Sequence, residues 1–553
     1  MPGIEAWRVK RRIDGTNSAG TECDRIPSRP FIFGSTCSLQ TCGTRTIHAM
    51  SLFIGIDIGT SGTKAVLLDQ EGRVVATGSG SHAPSVPRSG WSEQNPDDWW
   101  PSTIAAIGES CRIAGVKADA IEAIGLTGQM HGLVALDSSA TPIRPAILWN
   151  DGRSEPQCHA VEARIGIERL VSLCGNRMLP GFTAPKLLWM REHEPEAYAR
   201  ITTVLLPKDW IRYRLSGELV MDVSDASGTA VFDCAHRTWS DELLAELDLP
   251  RAWWPHAAES PEVVASVHAA AAAETGLREG VPIVAGAGDQ AASAIGTGLI
   301  AEGTVGTTLG TSGVVFAPTN EWRSLPDGRL HAFCHAVPGR WHLMGVMLSG
   351  AGSLDWFRSA IVPDIDEEAG SEAFPRIESM AKEVPAGAEG VLFLPYLSGE
   401  RTPYPDVNAR GTFIGLDQRH DRRHLARAVF EGVTHGLTQC LDLVREAGVE
   451  PETVRLSGGG AKSALWRETC ADLFGVPTIT TTTTEGTACG AAILAAVGAG
   501  AFPSVEEACR VTIREVDRTE AGPNAAVLAA RHSIYERLYP ALKPLFPAIA
   551  AEA

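Results

Sequence analysis

The stretch that decides the fold, residues 52–69, reads LFIGIDIGTSGTKAVLLD. Its apolar start, residues 52–56, predicts a buried strand, and the Gly- and Thr-rich residues 57–64 predict a polar turn. Residues 65–68 predict a second strand directly after that turn. Two strands joined by so short a turn form a hairpin, so the fold does not begin with a strand–helix unit.

A second stretch, residues 303–316, reads GTVGTTLGTSGVVF and repeats this strand–turn–strand device about 250 residues downstream. Repetition at that distance predicts a duplicated pair of domains with a boundary near residue 300. The predicted organisation is an N-terminal extension at residues 1–49, an N-terminal domain at residues 50–299 and a C-terminal domain at residues 300–545.

The composition is that of an ordinary globular protein with a strongly acidic balance. Of 553 residues, 44% are apolar and 21% charged, and 66 Asp and Glu outnumber 48 Lys and Arg to give a net charge of -18. Such a surface repels phosphate backbones and anionic lipid, so neither nucleic acid nor a membrane is an expected partner. An anionic ligand must therefore be held by local devices such as backbone amides, a helix N-terminus or a metal ion.

Cysteine usage and hydropathy favour a cytoplasmic location. The twelve cysteines are scattered without CxxC pairs, which argues against a disulfide scaffold or a zinc ribbon and fits a reducing compartment. The longest uncharged stretch, residues 487–505, is rich in Ala and interrupted by Gly and Pro. It predicts a buried helix followed by a turn and not a membrane span.

Residues 1–49 differ from the rest of the chain. They carry seven Lys and Arg against four Asp and Glu and show no sustained hydrophobic period. A transit peptide is one interpretation, but the acidic residues and the absence of an amphipathic Arg face count against it. We favour a disordered tail or an upstream-extended reading frame.

The two Gly/Thr turns are candidate phosphate sites. Glycine lets the backbone approach a phosphate closely, and amides and hydroxyls can donate to its oxygens. Asp57, at the end of the first strand, can hold a divalent metal ion, usually through water. An ordinary hairpin turn is the alternative for either turn alone. Together they suggest two phosphate clamps, one in each domain.

A third glycine cluster, residues 457–461 (SGGGA), follows a predicted strand and is expected to open a helix over residues 462–474. Such a junction presents unpaired amides to a ligand, although close helix–strand packing is an equal alternative. Neither GxGxxG nor the Walker pattern GxxxxGK[ST] is present, which excludes the Rossmann and P-loop interpretations.

A carboxylate stands alone in the small, apolar stretch of residues 284–292, VAGAGDQAA. An isolated buried carboxylate is unfavourable, so Asp289 needs an explanation. A partly desolvated catalytic base that accepts a proton from a hydroxyl is the favoured one. Capping of the following helix is the structural alternative.

Met130 and His131 lie between glycines after another predicted strand, and Trp149, Asn150 and Asp151 end a further one. A lone His is usually structural and a Met usually belongs to the core. Here the combination suits a polyol pocket, in which polar groups bind hydroxyls and an apolar wall covers the C–H faces.

Together these residues resemble the FGGY family of carbohydrate kinases, over about residues 52–545. No single motif establishes the resemblance; the order of all the motifs along the chain does. The matching motifs are the Asp57 turn, residues 91–94 (WSEQ), 129–132 (QMHG), 149–153 (WNDGR), 180–186 (PGFTAPK), 288–289 (GD), 310–313 (GTSG), 398–403 (SGERTP), 411–416 (GTFIGL) and 458–460 (GGG).

The resemblance implies an α/β fold of two ribonuclease-H-like domains of the actin/hexokinase/Hsp70 type, with ATP and a sugar meeting in the cleft between them. It implies ATP-dependent, Mg²⁺-assisted phosphorylation of the 5-hydroxyl of D-xylulose, giving D-xylulose 5-phosphate. Because dimers are common in the family, it also allows for a homodimer.

The site residues follow from the same resemblance. Asp289 matches the catalytic base, and Asp57 the acid that serves the metal–phosphate region. The remaining matches are Met130, His131, Asp289 and Gln290 for the sugar, Thr60, Ser61, Gly310 and Thr311 for phosphate, and Gly459 and Gly460 for the nucleotide.

Two alternatives stay open. One is another sugar or polyol kinase of the family, acting on L-ribulose, gluconate or a similar compound. Glycerol is disfavoured, because glycerol kinases carry Arg-Glu where this chain has Met130-His131, but Gln290 replaces the Asn common in members that phosphorylate xylulose. The other is a nucleotide-gated binding protein of the actin/Hsp70 type, against which the compact sugar and base motifs argue.

Overall fold

The computed structural model describes residues 51–483 and 486–551. The predicted extension at residues 1–49 lies outside these residues. Two mixed sheets with flanking helices carry the fold, one in the N-terminal half of the chain (up to residue 299) and one in the C-terminal half.

The N-terminal half contains the following elements. Its strands are β1 (Leu52–Ile58), β2 (Gly62–Asp69), β3 (Val74–Ser81), β4 (Glu93–Gln94), β5 (Ile121–Gly128), β6 (Val134–Leu136), β7 (Ala146–Ile147), β8 (Thr203–Leu205), β9 (Val220–Asp222), β10 (Phe232–Asp233), β11 (Thr238–Trp239), β12 (His256–Ala258), β13 (Val263–Ser266), β14 (Pro282–Val284) and β15 (Ala287–Gly288). Its helices are α1 (Trp99–Ala114), α2 (Glu155–Ile165), α3 (Ile167–Cys174), α4 (Thr183–His193), α5 (Pro195–Tyr198), α6 (Pro207–Ser216), α7 (Val223–Ala226), α8 (Asp241–Glu246), α9 (Ala269–Thr275) and α10 (Asp289–Thr297).

The first sheet has the order β13-β14-β5-β1-β2-β3, with β15 also pairing with β5. Strand β1 pairs antiparallel with β2 and parallel with β5, so it lies near the centre of the sheet. Its residues Ile54, Ile56 and Ile58 are fully buried, as expected for a central strand with helices on both faces. The predicted hairpin at residues 52–68 is therefore confirmed.

The C-terminal half repeats this arrangement with other elements around it. Its strands are β16 (Thr304–Leu309), β17 (Gly313–Thr319), β18 (His331–Cys334), β19 (Trp341–Met347), β20 (Leu392–Leu394), β21 (Thr412–Ile414), β22 (Thr453–Ser457), β23 (Thr478–Thr481) and β24 (Glu515–Thr519). Its helices are α11 (Gly352–Ala360), α12 (Pro363–Ala369), α13 (Ala373–Lys382), α14 (Arg422–Glu446), α15 (Ala464–Phe474), α16 (Gly486–Gly498), α17 (Val505–Thr512), α18 (Ala525–Tyr535), α19 (Leu538–Leu542) and α20 (Phe546–Ala551).

The second sheet has the order β18-β19-β17-β16-β22-β23-β24. Strand β16 pairs antiparallel with β17 and parallel with β22, which is the arrangement of β1 with β2 and β5 in the first sheet. The two Gly/Thr turns therefore occupy equivalent places in two sheets of similar design. This confirms the duplicated α/β fold expected from the two stretches.

Two helix caps and one helix break are well defined. Asn95 caps the turn that precedes α1, and Asp421 caps the long helix α14 by accepting from the amide of Arg423. Helices α2 and α3 follow one another with a single residue between them. Gly166, with φ at 88°, separates them, because this backbone conformation cannot continue a right-handed helix.

Helix α16, although late in the chain, packs directly on the first sheet. A Cβ added to Gly55 would lie 1.9 Å from the carbonyl oxygen of Ala488, and one added to Gly125 would lie 1.9 Å from that of Ala491. The helix also touches α10, where Gly490 lies against the backbone of Ala292. Small residues on both sides allow this approach, so the two halves are joined by backbone contact and not only by side chains.

Two further observations concern membrane-spanning helices and cysteines. Among the residues that the structure describes, no helix has both the length and the apolar character needed to cross a membrane. The nine cysteines within those residues are all buried.

We expect Gly125→Ala to destabilise the protein by about 1–3 kcal/mol or more, because the added methyl group meets a helix backbone that cannot move aside. The thermal unfolding midpoint checks this. Gly108→Ala is the matched control: Gly108 lies in α1 with open space around it, and the change there should stabilise by about 0.5–1 kcal/mol. Equal midpoints for both variants would contradict the close packing of α16 on β5.

Candidate active site

A cavity of about 380 Å³ lies between the two halves of the chain. It is lined from both sides, so its shape depends on how the two sheets are held together. Its walls include Met130, His131, Trp149, Phe182, Asp289 and Gln290 from the N-terminal half and Ser312, His331, Glu400 and Arg401 from the C-terminal half. The structure thus brings together the four residues that were expected to contact a sugar.

Asp289 is the first residue of α10, directly after the short strand β15. Burial raises the pKa of its carboxyl to about 6, although the amides of Met130 and Gln290 and the side chain of Gln290 donate to it and oppose the shift. A carboxylate with a pKa near neutrality, facing a cavity, is well suited to accept a proton. The geometry therefore agrees with a base at this position and gives it a definite set of neighbours.

His131 presents a hydrogen-bond acceptor to the cavity. Its Nδ1 lies 2.8 Å from the carbonyl oxygen of Gly228, and since a carbonyl can only accept, Nδ1 carries the proton. Burial lowers the pKa of the ring to about 3, with Lys186, His331 and Arg401 contributing, so the imidazole is neutral and Nε2 keeps its lone pair. The ring also packs at 4.7 Å from Phe182, which fixes its orientation.

The C-terminal wall adds charged groups whose role the sequence analysis did not identify. Glu400 is buried, accepts from the amides of Leu348 and Arg401, and has a pKa raised by burial to about 8. The neighbouring guanidinium of Arg401 helps to lower the pKa of His131 and His331. The sequence signal was the motif at residues 398–403 (SGERTP), which contributed to the family resemblance but was given no role in the site.

A buried ionic network, also missed from the sequence, supports the segment that ends at Asp289. Lys208 lies within 2.6 to 3.1 Å of carboxylate oxygens of Asp209, Asp222 and Asp225, and all four side chains are fully buried. Burial lowers the pKa of the ammonium group, but the three carboxylates outweigh it and hold the pKa above its usual value. Burial also raises the pKa of Asp225 well above its usual value.

Two hydrogen bonds connect this network to the backbone before Asp289. Arg212, which pairs with Asp209, donates to the carbonyl oxygen of Ala285 at 2.6 Å. The hydroxyl of Ser224 accepts from the amide of Gly288 at 3.1 Å and donates to Asp222. The position of Asp289 is therefore fixed by a desolvated set of charges immediately beneath it.

The first Gly/Thr turn is tied to residues on the sugar side. The hydroxyl of Thr60 accepts a hydrogen bond from the indole of Trp149 at 3.1 Å and donates one to Gln129 at 3.3 Å. The backbone carbonyl oxygen of Thr60 accepts from the side chain of Gln94 at 2.6 Å. This hydroxyl is therefore already engaged. Ser61, in contrast, is exposed at the tip of the turn.

The expectation that Asp151 helps to form the polyol pocket was wrong. Asp151 is buried, pairs with Arg153 at 2.7 Å and accepts from the amide of Ser92 at 2.6 Å. Arg153 also pairs with Glu93 at 2.7 Å and stacks on Trp91. A buried carboxylate needs a charged partner, and for Asp151 that partner is Arg153, which lies behind the pocket. Of residues 149–153, only Trp149 lines the cavity.

A second cavity, of about 660 Å³, adjoins the first turn. Asp57, Ser61 and Thr63 line it together with the start of α16. Its carboxylate and hydroxyl oxygens are hard donors of the kind that Mg²⁺ prefers, so the residues present fit a magnesium ion.

The second turn and the glycine cluster lie at the same edge of the second sheet. Strands β16 and β22 are parallel, and the hydroxyls of Thr308 and Ser457 at their ends are 2.9 Å apart. Gly458 lies against the backbone of Leu309, where a Cβ would be 2.6 Å from the carbonyl oxygen. The turn at residues 310–313 therefore lies beside the start of the glycine cluster.

Two details of the glycine cluster differ from expectation. Residues 459–462 form a short 3₁₀ turn, and α15 begins only at Ala464, because Ser463 caps it by accepting from the amide of Trp466. Gly459 has open space where a side chain would stand, whereas Gly460 is packed against Leu309 and the indole of Trp466.

The comparisons with known proteins agree with this geometry. Residues 52–296 match the model of the FGGY family of carbohydrate kinases, N-terminal domain, and residues 305–499 match that of its C-terminal domain. The chain belongs to the FGGY family of carbohydrate kinases. It is a kinase with two FGGY domains, each built on one of the two mixed sheets.

Individual members of the family are similar over most of the chain. The xylulose kinase of Escherichia coli (strain K12) is 42% identical over 498 residues, which cover 89% of this chain and 100% of that protein. A solved structure of a xyloylose kinase from Brucella ovis has a TM-score of 0.82 at 36% identity, covering 89% of this chain and 100% of that one. A gluconate kinase from Lactobacillus acidophilus has a TM-score of 0.85 at 26% identity, covering 90% and 100%.

We expect Ser224→Ala to lower kcat about tenfold while the KM for ATP stays unchanged, because Gly288 loses the acceptor that links it to the ionic network. The pH dependence of kcat should also move, since a displaced Asp289 meets different donors. Ser216→Ala is the control: its hydroxyl donates to the backbone of Arg212 but has no link to Gly288. An unchanged pH profile in Ser224→Ala would show that the network does not position Asp289.

Proposed function

We propose that this protein transfers the γ-phosphoryl group of ATP to the 5-hydroxyl of D-xylulose, yielding D-xylulose 5-phosphate and ADP. The observation that carries the proposal is the position of Asp289 beside Met130 and His131, in a cavity that also contains Ser312 from the second Gly/Thr turn. The activity named for the Escherichia coli and Brucella ovis proteins supports the choice of sugar.

In this proposal Asp289 is the catalytic base. Its carboxylate accepts the proton of the 5-hydroxyl as that oxygen forms a bond to the γ-phosphorus. The bond between the γ-phosphorus and the β–γ bridging oxygen breaks in line, and ADP leaves with the electron pair. Because phosphoryl transfer depends mainly on positioning and charge stabilisation, the fixed location of Asp289 matters as much as its basicity.

The sugar is oriented by groups around the base. The lone pair on Nε2 of His131 accepts a hydrogen bond from a sugar hydroxyl, and the amide of Gln290 can both donate and accept. Met130 and Phe182 cover the C–H faces of the chain of carbons. Met130, His131, Asp289 and Gln290 are thus the proposed sugar-binding residues.

The phosphates are proposed to lie against three backbone segments. These are the first turn with Thr60 and Ser61, the second with Gly310 and Thr311, and the glycine cluster with Gly459 and Gly460. The Thr60 hydroxyl already donates to Gln129, so Thr60 would bind phosphate through its backbone amide. Gly460, which lies against Leu309 and Trp466, would likewise use its backbone amide. Asp57 would hold Mg²⁺ through water, and the ion, when bound, neutralises charge on the phosphate oxygens.

Three further expectations belong to this proposal. The boundary between the domains, residues 50–299 and 300–545, lies in the interval between the two family matches. A cytoplasmic location suits an enzyme that consumes ATP and carries free cysteines. A homodimer is the proposed assembly.

One observation favours a second candidate. Arg401 brings a guanidinium into the wall of the sugar cavity, and a cation there suits a substrate with a carboxylate. An aldonic acid such as gluconate is therefore the alternative acceptor, and the gluconate kinase among the structural neighbours agrees with it.

A panel of acceptors separates these candidates. With MgATP, we expect D-xylulose to give a kcat/KM at least tenfold above that of L-ribulose, glycerol or gluconate, measured by coupled ADP release. A preference for gluconate would keep the phosphoryl transfer but replace the proposed sugar. ADP release that does not depend on any acceptor would instead support a nucleotide-gated binding protein.

Asp289→Asn should lower kcat by about 10²–10⁴-fold, because the amide cannot accept the proton. ATP affinity, measured by equilibrium binding, should change little. In the unsubstituted protein the active form is the carboxylate, so kcat/KM for the sugar should be full above the pKa and fall as the pH drops through about 6.

The control for this variant is Asp119→Asn, at an exposed position remote from the cavity. It should leave both kcat and the pH profile unchanged. Near-full activity in Asp289→Asn, or the same acidic fall in activity in that variant, would remove Asp289 from the role of base.

A further inference from the structure

The C-terminal ends of two helices meet at the surface, outside both cavities. Helix α14 presents His435, Gln439 and Asp442 at positions i, i+4 and i+7 of one face. Helix α18 carries His532 in its last turn, and Glu536 comes directly after the helix. The unpaired carbonyl groups at helix C-termini carry partial negative charge. His532 lies in the last turn of α18, so that helix end favours a cation nearby.

Three side chains converge there on one point. One oxygen of Asp442, one nitrogen of His532 and one oxygen of Glu536 all lie within 4.8 Å of one another. Glu536 is exposed and the other two are partly exposed, so an ion can reach them from solvent. One imidazole with two carboxylates is a mixed donor set that suits zinc better than magnesium or calcium, which take oxygen ligands.

The distance between His532 and Asp442 is compatible with an ion shared between the two side chains. Nε2 of His532 is 3.3 Å from Oδ2 of Asp442. Charge-assisted hydrogen bonds are shorter, about 2.7–2.9 Å. Two ligands of a tetrahedral ion with bonds of about 2.0–2.1 Å are separated by about 3.3–3.4 Å. The pair already has the spacing of such an edge, and rotation of the exposed Glu536 side chain can supply the third ligand.

A second histidine lies behind the first. Nδ1 of His435 is 3.1 Å from Nδ1 of His532, so one of the two nitrogens carries a proton. Nε2 of His435 is buried and has no hydrogen-bond partner among the described residues. With an ion on Nε2 of His532, Nδ1 of His532 donates to His435, which is the outer-sphere hydrogen bond that metal-binding histidines commonly make.

Arg445 does not block this arrangement. It pairs with Oδ1 of Asp442 at 2.8 Å, whereas Oδ2 is the oxygen that faces His532. The pair orients the carboxylate and leaves the second oxygen for an ion.

We propose that Asp442, His532 and Glu536 bind one zinc ion, with water completing the coordination, and that this ion fastens α18 to the end of α14. None of these residues lines either of the two cavities of the active site. The site is therefore separate from the magnesium expected beside ATP.

Zinc titration of the full chain tests the proposal. The protein is first treated with a chelator, freed of any histidine tag, and kept without nucleotide and Mg²⁺; ZnCl₂ is then added in a calorimeter. We expect one zinc ion per chain, with affinity reduced at least tenfold in His532→Ala and in Glu536→Gln. Co²⁺ bound in the same place should show the visible absorption of tetrahedral coordination without sulfur ligands.

His236→Ala is the matched control, because His236 is an exposed histidine that contacts Asp233 at 2.8 Å without a third ligand nearby among the described residues. It should bind zinc as the unsubstituted chain does. Circular dichroism of the metal-free variants confirms that each is folded. Unchanged zinc binding in His532→Ala, absence of binding at micromolar zinc, or sulfur-to-cobalt absorption would each overturn the proposal.

Discussion

The active site depends on a carboxylate held away from water at a fixed place. Asp289 stands at a junction between a helix and β15, a strand of only two residues that pairs with β5. The buried charges of Lys208, Arg212 and their carboxylate partners add to this pairing by binding the carbonyl of Ala285 and, through Ser224, the amide of Gly288. Removing one member of such a desolvated set leaves another charge uncompensated, so the set acts as a unit.

The two halves of the cavity contribute different chemistry. The N-terminal half supplies Asp289, the proposed base, and neutral acceptors such as His131, held neutral by burial. The C-terminal half supplies Ser312 and the cation of Arg401. Because residues of both halves line the cavity, its shape depends on the relative position of the two sheets.

Much of the fold was accessible from the sequence, and the reasons are local. The hairpin after Leu52 and its repeat after Gly303 are visible as apolar runs around Gly/Thr turns, and Asp289 is conspicuous because its neighbours are small and uncharged. The buried ion pairs were not accessible. In the sequence Asp151 resembles a pocket residue. Only the structure shows that Ser92, about sixty residues earlier, donates to Asp151 and that Glu93 pairs with Arg153. The start of α15 was misplaced because a serine cap outweighs the glycine cluster before it.

Helix α16 has a consequence for how the molecule is made. It lies against Gly55 and Gly125 of the first sheet, yet it is synthesised more than three hundred and fifty residues after the nearer of them. During translation one face of that sheet stays uncovered until almost the whole chain has left the ribosome. The packing of the N-terminal half is therefore completed only after most of the C-terminal half has been made.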